Sequence, residues 1–383
     1  MQYFWILVLA TTAFADETRL KQIPVRMKAY VDRGEVSGVV TLVSRRGAVI
    51  HHEAVGWQDL GKSVPMKPDT IFEVMSMTKP VTAIAIQMLA EEGMLALNDP
   101  VEKHLPEFRG QMQVAARENG ATILKKPSRL ITIRDLLTHT SGLAEMPPEG
   151  AGGVQLYYRL NLTLASAVSL FSQMPLQFDP GTKWSYSNPG IATLGRIIEV
   201  VSGKAYEQFL DERVFQPLGM KDSFFFPNAE RHPRIARAYT WQNGKLNDAG
   251  DGIYRKNAKY PMPEGGLYST ARDMAAFYQL MLDQGKANGR RLLSPASVEL
   301  ARAVHTEDTA RTWGLGWGVL AKPGSTLNLV SKGAYGHGGA LGTYGWVDPA
   351  KQMVGVFMIQ RVGGNTDGIR NVFVGMANAA VSE

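Results

Sequence analysis

Cysteine is missing from the 383-residue chain, which excludes disulfides, thiol nucleophiles and thiolate metal sites. No Gly-x-Ser-x-Gly element occurs, so the strained serine turn of the α/β-hydrolases has no counterpart. No His-Glu-x-x-His occurs either, which leaves zinc-dependent hydrolysis without its motif. Nowhere do clustered Arg and Lys alternate with aromatics, so nucleic acid is not an expected partner. Charge of one sign is scarce: 41 Lys and Arg against 35 Asp and Glu leave +6 without a long basic block. That balance describes a solvated surface. Internal repeats and low-complexity tracts are absent too.

Long hydrophobic runs are also lacking. The opening MQYFWILVLATTAFA carries an apolar run over residues 4–10, too short to span a bilayer, so no stable membrane span is expected. Ala13-Phe14-Ala15 fits a small-residue cleavage site, and residues 1–15 read as a signal peptide removed before Asp16. A periplasmic or secreted location is the resulting expectation. What remains is 45% hydrophobic overall and long enough for one large domain or two closely packed ones.

Periodicity places the elements. Residues 18–33 read as an amphipathic helix interrupted early by Pro24. Residues 39–43 and 48–55 form a hairpin around Arg45-Arg46-Gly47. Near the other end, residues 344–347 and 353–359 are β-rich, and Ile369, Val372, Phe373 and Met376 recur at helical spacing. Helices are expected over 82–92, 133–137 (capped by Thr132), 191–201, 204–214 and 273–282. Residues 110–130 and 241–260 lack periodicity and read as loops. The fold class is therefore α+β, an α/β sandwich. Its antiparallel sheet comes from the N- and C-terminal strands, with flanking helices and a mostly helical subdomain. The expected division is 16–80 with 260–383 for the sheet domain and 81–259 for the helical subdomain.

Three short elements carry candidate chemistry. Ser76-Met77-Thr78-Lys79 puts a hydroxyl and an amine one turn apart, on one face of the helix that follows. Serine needs a proton acceptor to act as a nucleophile. Lysine can accept only if burial or nearby positive charge lowers its pKa far below about 10.4. By itself the pair also fits a capping serine with a solvated lysine. Tyr186-Ser187-Asn188 lies in a turn-rich loop. Its phenol can relay a proton and its amide can meet a substrate carbonyl, although in isolation the segment reads first as a packed tyrosine and a turn asparagine. His337-Gly338-Gly339 precedes a strand. There the glycines allow close approach of a substrate, or simply form a turn. The Ala340 amide beyond them can pair with that of Ser76 as an oxyanion hole. His337 can orient a substrate carboxylate or tune the Tyr–Lys network.

Taken together and in order, the three elements resemble those of the serine β-lactamase and penicillin-binding protein superfamily. The spacing is most similar to the class C β-lactamase-like branch, with its D-amino-acid peptidases and β-lactamase-like esterases. The segments Leu136-Leu137-Thr138-His139-Thr140-Ser141-Gly142-Leu143, Gly265-Gly266-Leu267-Tyr268-Ser269-Thr270 and Trp317-Gly318 add to the resemblance, which runs from about residue 30 to the end. The resemblance implies a site between sheet and helical subdomain, and no metal or cofactor. It implies Ser76 as the acylated nucleophile, Lys79 and Tyr186 as its proton-handling partners, and Asn188 as a substrate-positioning group. The amides of Ser76 and Ala340 would bind the oxyanion. One departure matters: β-lactamases of this branch carry Lys-Thr-Gly where this chain has His337-Gly338-Gly339. A mostly neutral histidine attracts a carboxylate less. The expectation is a carboxylesterase for small acyl esters. The alternatives are a β-lactamase or D-amino-acid peptidase, and a non-catalytic binding protein on the same scaffold. The partner is accordingly a small-molecule ester, β-lactam or D-peptide.

Overall fold

In residues 38–45, Val39 and Val43 point to one side and Val40 and Leu42 to the other, so the strand has apolar groups for both faces of a sheet. A computed structural model describes residues 15–146, 161–250, 257–306, 312–320 and 329–381, and in it this strand, β1 (Gly38–Arg45), is buried along its whole length. The expected hairpin continues through Arg46 and Gly47, both at positive φ, into β2 (Ala48–Asp59) and a short β3 (Val64–Pro65). The C-terminal part supplies β4 (Gly318–Val319), β5 (Tyr335–Gly338), β6 (Tyr344–Asp348) and β7 (Met353–Met358). All seven form one antiparallel sheet in the order β4-β5-β6-β7-β1-β2-β3. The distant ends of the chain meet where β7 pairs with β1, with Val40 opposite Met358 and Arg45 opposite Met353.

The period of two sorts the core into two layers. Val39, Val43, Trp346 and Phe357 face helices α1 (Glu17–Asp32) and α5 (Thr366–Ala380), through Leu20, Ile23, Met27, Ile369 and Phe373. Val40, Leu42, Val347, Val354, Val356 and Met358 join a larger core on the other side. There α4 (Ala271–Leu282) packs on the sheet, and α2 (Thr78–Glu91) packs on α3 (Asn188–Ser202). The molecule is an α+β sandwich with helices on both faces of an antiparallel sheet and a helical region beside it.

Four readings of the sequence need adjustment. Pro24 does not interrupt the first helix, which runs from Glu17 to Asp32. Its buried stripe of Leu20, Ile23, Met27 and Tyr30 outweighs one lost backbone bond. Residues 110–130 are not a plain loop, since Gln113–Glu118 and Ala121–Lys125 pair as a hairpin. Within 241–260, Lys245–Asp248 likewise pairs with Tyr239–Gln242. Each hairpin turns on an Asn-Gly pair at positive φ, Asn119-Gly120 and Asn243-Gly244, the dipeptide that two-residue hairpin turns favour. The helix expected over 204–214 starts at Tyr206, widens over Asp211–Phe215 and takes in Pro217. Residues 1–14 of the expected leader lie outside the described residues. Asp16, just after its expected end, caps α1 by accepting from the Arg19 amide at 3.1 Å. Among the described residues no helix is long and apolar enough to cross a membrane.

Candidate active site

Helix α2 is buried on every side from Thr78 to Leu89, so a polar group on it gains by finding a partner within the protein. Thr78, Lys79 and Thr82 do so by gripping the segment before α4. Thr82 Oγ1 donates to the Pro263 carbonyl at 2.7 Å, and Thr78 Oγ1 accepts from the Leu267 amide at 3.2 Å. Lys79 Nζ donates to the Glu264 carbonyl at 2.7 Å and lies 2.9 Å from Ser76 Oγ. Lys79 is 0% exposed. That burial pushes its pKa down from 10.5 to about 7, against the pull of the Glu264 and Glu145 carboxylates. A neutral amine is therefore well populated near pH 7, with its lone pair free to accept the Ser76 proton.

Ser76 itself lies in a single 3₁₀ turn, Met75–Met77, that leads directly into α2. Met75 holds φ at 53°, a left-handed conformation that costs an L-residue roughly 1–2 kcal/mol. The turn is tied from both sides: Thr78 Oγ1 donates to the Met75 carbonyl at 2.6 Å, and Thr343 Oγ1 to the Val74 carbonyl at 2.9 Å.

Tyr186 reaches the same point from the loop before α3. Its phenol is a hydrogen-bond partner of the Ser76 hydroxyl, and burial raises its pKa, so it stays a protonated donor at neutral pH. Lys79 Nζ lies over the Tyr186 ring, 4.6 Å from its centre. Asn188 opens α3, its backbone amide bonded to the Glu145 carbonyl at 3.3 Å. Its side-chain amide spends its donor on the Met146 sulfur at 3.4 Å, a weak acceptor that a substrate carbonyl can replace.

The third element comes from β5. His337 is buried, and its Nδ1 donates to the Gly338 carbonyl at 2.7 Å. Burial, helped by the Lys79 charge, lowers its pKa to about 3, so it is a neutral imidazole. Beyond it the chain presses on the serine turn. A Cβ on Gly339 would stand 2.4 Å from the Val74 carbonyl oxygen and 2.2 Å from Thr343 Oγ1, so only glycine fits there. The tight turn uses the amides of Gly339 and Gly342 for its own bonds. The Ala340 amide takes part in neither, and Ala340 is exposed.

Ser76, Lys79, Tyr186, His337 and Gly339, one or more from each motif, thus converge on one place. Several neighbours were not picked as site residues. His139 lies against Tyr186 with ring centres 4.6 Å apart, and Trp184 and Trp313 close an aromatic box that also touches His337. Glu264 contributes the backbone acceptor that anchors Lys79. The motif around His139 marked that residue, but Trp313 and Glu264 carry no local signal. The assembled groups can remove a proton from a hydroxyl, return one to a leaving group and offer amides to a developing oxyanion.

The Beta-lactamase family model matches residues 26–375. Protein MT1414 of Mycobacterium tuberculosis is 34% identical over 357 residues, covering 87% of this chain and 88% of its own length. Esterase EstB of Burkholderia gladioli is 30% identical over 377 residues, covering 89% and 91%. The solved structure of EstCE1, described as a hydrolase with promiscuous acyltransferase activity, shares the fold with a TM-score of 0.80. It is 26% identical and covers 95% of this chain and 99% of that one.

Proposed function

The chain belongs to the β-lactamase family and is a serine hydrolase, and we propose that it is an exported carboxylesterase for small acyl esters with Ser76 as its nucleophile. The observation that carries the nucleophile is the wholly buried Lys79 amine 2.9 Å from Ser76 Oγ. In this reading neutral Lys79 takes the Ser76 proton as Oγ bonds to the ester carbonyl carbon. The negative charge moves to the carbonyl oxygen, which the amides of Ser76 and Ala340 receive. Asn188 holds the rest of the acyl part. The carbon–oxygen ester bond then breaks. Tyr186 gives its phenol proton to the departing alkoxide and regains one from Lys79, which ends neutral. Water repeats the sequence on the acyl-enzyme, with Lys79 accepting its proton, and releases the acid.

The choice of ester rests on His337. Buried and neutral, it offers no charge to hold a substrate carboxylate. An uncharged ester needs none. EstB is named an esterase, which supports the same choice. The test is turnover of p-nitrophenyl acetate and butyrate by the wild type and S76A, beside nitrocefin and a D-Ala-D-Ala peptide. Ester turnover that vanishes in S76A is expected. Turnover surviving that change would reject Ser76.

A second reading, a β-lactamase or D-amino-acid peptidase, draws on Arg370. Its Nη1 stands 3.6 Å from where a Cβ on Gly338 would lie, although Asp367 already pairs with it at 2.9 Å. Lactam or D-peptide turnover that falls in R370A while ester turnover stays would favour this second reading.

A further inference from the structure

We propose that His139 is the positioning residue of Tyr186, holding the phenol at Ser76. This rests on the serine-hydrolase reading above. Tyr186 belongs to a loop with no regular backbone pairing of its own, so something else must set where its hydroxyl points. One residue grips the loop on both sides of it. The Ser185 amide donates to the His139 carbonyl at 2.9 Å, and the Ser187 amide donates to His139 Nδ1 at 3.1 Å. Between these two bonds the imidazole lies along the Tyr186 ring, 4.6 Å between centres and tilted by 36°. Residues on either side of the phenol, and the phenol ring itself, are thus all referenced to a single residue: Ser185 to its backbone carbonyl, Ser187 and the Tyr186 ring to its imidazole.

The chemistry of the imidazole fits that task. An amide donating to Nδ1 needs the lone pair there, so the ring carries its proton on Nε2 and must stay neutral. Its surroundings keep it so. Burial drives its pKa well below 6.5, and the neighbouring Lys79 and His337 act in the same direction whenever they hold a proton. Trp184 and Trp313 close the remaining sides edge-on. Nε2 is buried and has no partner among the described residues, so the bond to the Tyr186 loop is the one the ring makes. The backbone of His139 is also held at φ 58°, a region uncommon for residues other than glycine, in which asparagine, aspartate and histidine are the most frequent exceptions. Such a conformation persists where the surroundings impose it, and these positions cluster at functional sites.

Two substitutions separate positioning from mere packing. H139N puts an amide oxygen near the place of Nδ1 and tolerates the left-handed backbone. H139Q carries its oxygen a carbon further out, where it misses the Ser187 amide. Thermal midpoints establish that both variants are folded at the assay temperature. With p-nitrophenyl butyrate, H139Q is expected to lose about 100-fold in kcat with KM nearly unchanged, the scale of a misplaced catalytic group. H139N is expected to recover most of that loss. Looser packing on Tyr186 lets water reach Lys79, so the acid limb of the H139Q rate profile should also move to higher pH. Lys79, His337, Glu145 and Glu264 are the other groups whose charges bear on this cluster. Equal losses in H139N and H139Q, wild-type kcat in H139Q, or an unmoved acid limb would each overturn the proposal. Labelling of wild-type Ser76 by a fluorophosphonate keeps the outcomes apart. A labelled wild type with a normal H139Q defeats only the role of His139, whereas an unlabelled wild type defeats the serine-hydrolase reading and this proposal together.

Discussion

Replacing Lys79 by methionine should abolish turnover and, near neutral pH, stabilise the protein. Lys79 is completely buried, and its pKa falls from 10.5 to about 7 on folding. The unfolded chain therefore keeps this proton up to about pH 10.5 and the folded chain only up to about pH 7. Between those limits the unfolded state binds more protons, so the stability of the wild type rises with pH through that window. Integrated, the residue costs the fold roughly 4 kcal/mol at pH 7 and about 1 kcal/mol at pH 10. Methionine is of similar length and carries no charge, so it removes that cost. Against this, the Glu264 carbonyl and the Ser76 hydroxyl lose their partner, a penalty of about 1–3 kcal/mol that does not depend on pH. The net is a gain of about 1–3 kcal/mol at pH 7 that disappears or reverses by pH 10. Thermal unfolding of both proteins at the two pH values, with ester turnover alongside, reads this directly. A difference between K79M and wild type that is the same at pH 7 and pH 10 would refute the reasoning, because only the buried proton makes it vary.

Three further outcomes follow from the same geometry. With an uncharged ester, kcat/KM should fall about tenfold per pH unit below pH 7 as Lys79 gains its proton. A plateau of initial rates down to pH 5 would contradict Lys79 as the base, since His337, at about 3, cannot supply the limb. Y186F removes the phenolic oxygen and keeps the ring under Lys79. Its kcat should drop by about 10²–10⁴ with KM little changed, measured by steady-state ester hydrolysis, as befits a lost proton donor. G339A forces a Cβ against the Val74 carbonyl and Thr343 Oγ1, displacing the serine turn. It should cost at least about 100-fold in turnover while circular dichroism still shows a folded chain, and wild-type activity would deny that the close approach matters.

How much of this was readable beforehand depends on burial. The strands over 39–43 and 353–359 and the helix from residue 82 stand out because the core demands apolar residues at fixed spacing. The two missed hairpins lack that demand. All five residues of Ala121–Lys125 are exposed, so no alternation marks the strand, and the Asn-Gly pairs were the usable signal. The three motifs were legible because each holds its chemistry within a few residues. The aromatic box was not. Ser187 is 48 positions from His139, and Trp313 belongs to neither motif, so only the folded chain brings these rings together. Periodicity likewise gave no hint that His337 would be sealed from water.

The site collects features that are each unfavourable alone: a lysine without solvent, Met75 and His139 at positive φ, and a glycine where any side chain would collide. Natural sequences tolerate such local conflicts where function requires them. They are also connected. Lys79 keeps its low pKa only while water is kept away, and water is kept away by the Tyr186 ring and by the Pro263–Leu267 segment bonded to α2. Any change that loosens either wall should restore solvation to the ammonium and carry the acid limb of the rate profile upward, even when the changed residue touches no substrate. The position of that limb therefore measures how dry the amine is, and it separates loss of the base from loss of the relay. Y186F keeps the ring and should leave the limb in place while lowering the plateau, whereas Y186A opens the wall and should move both.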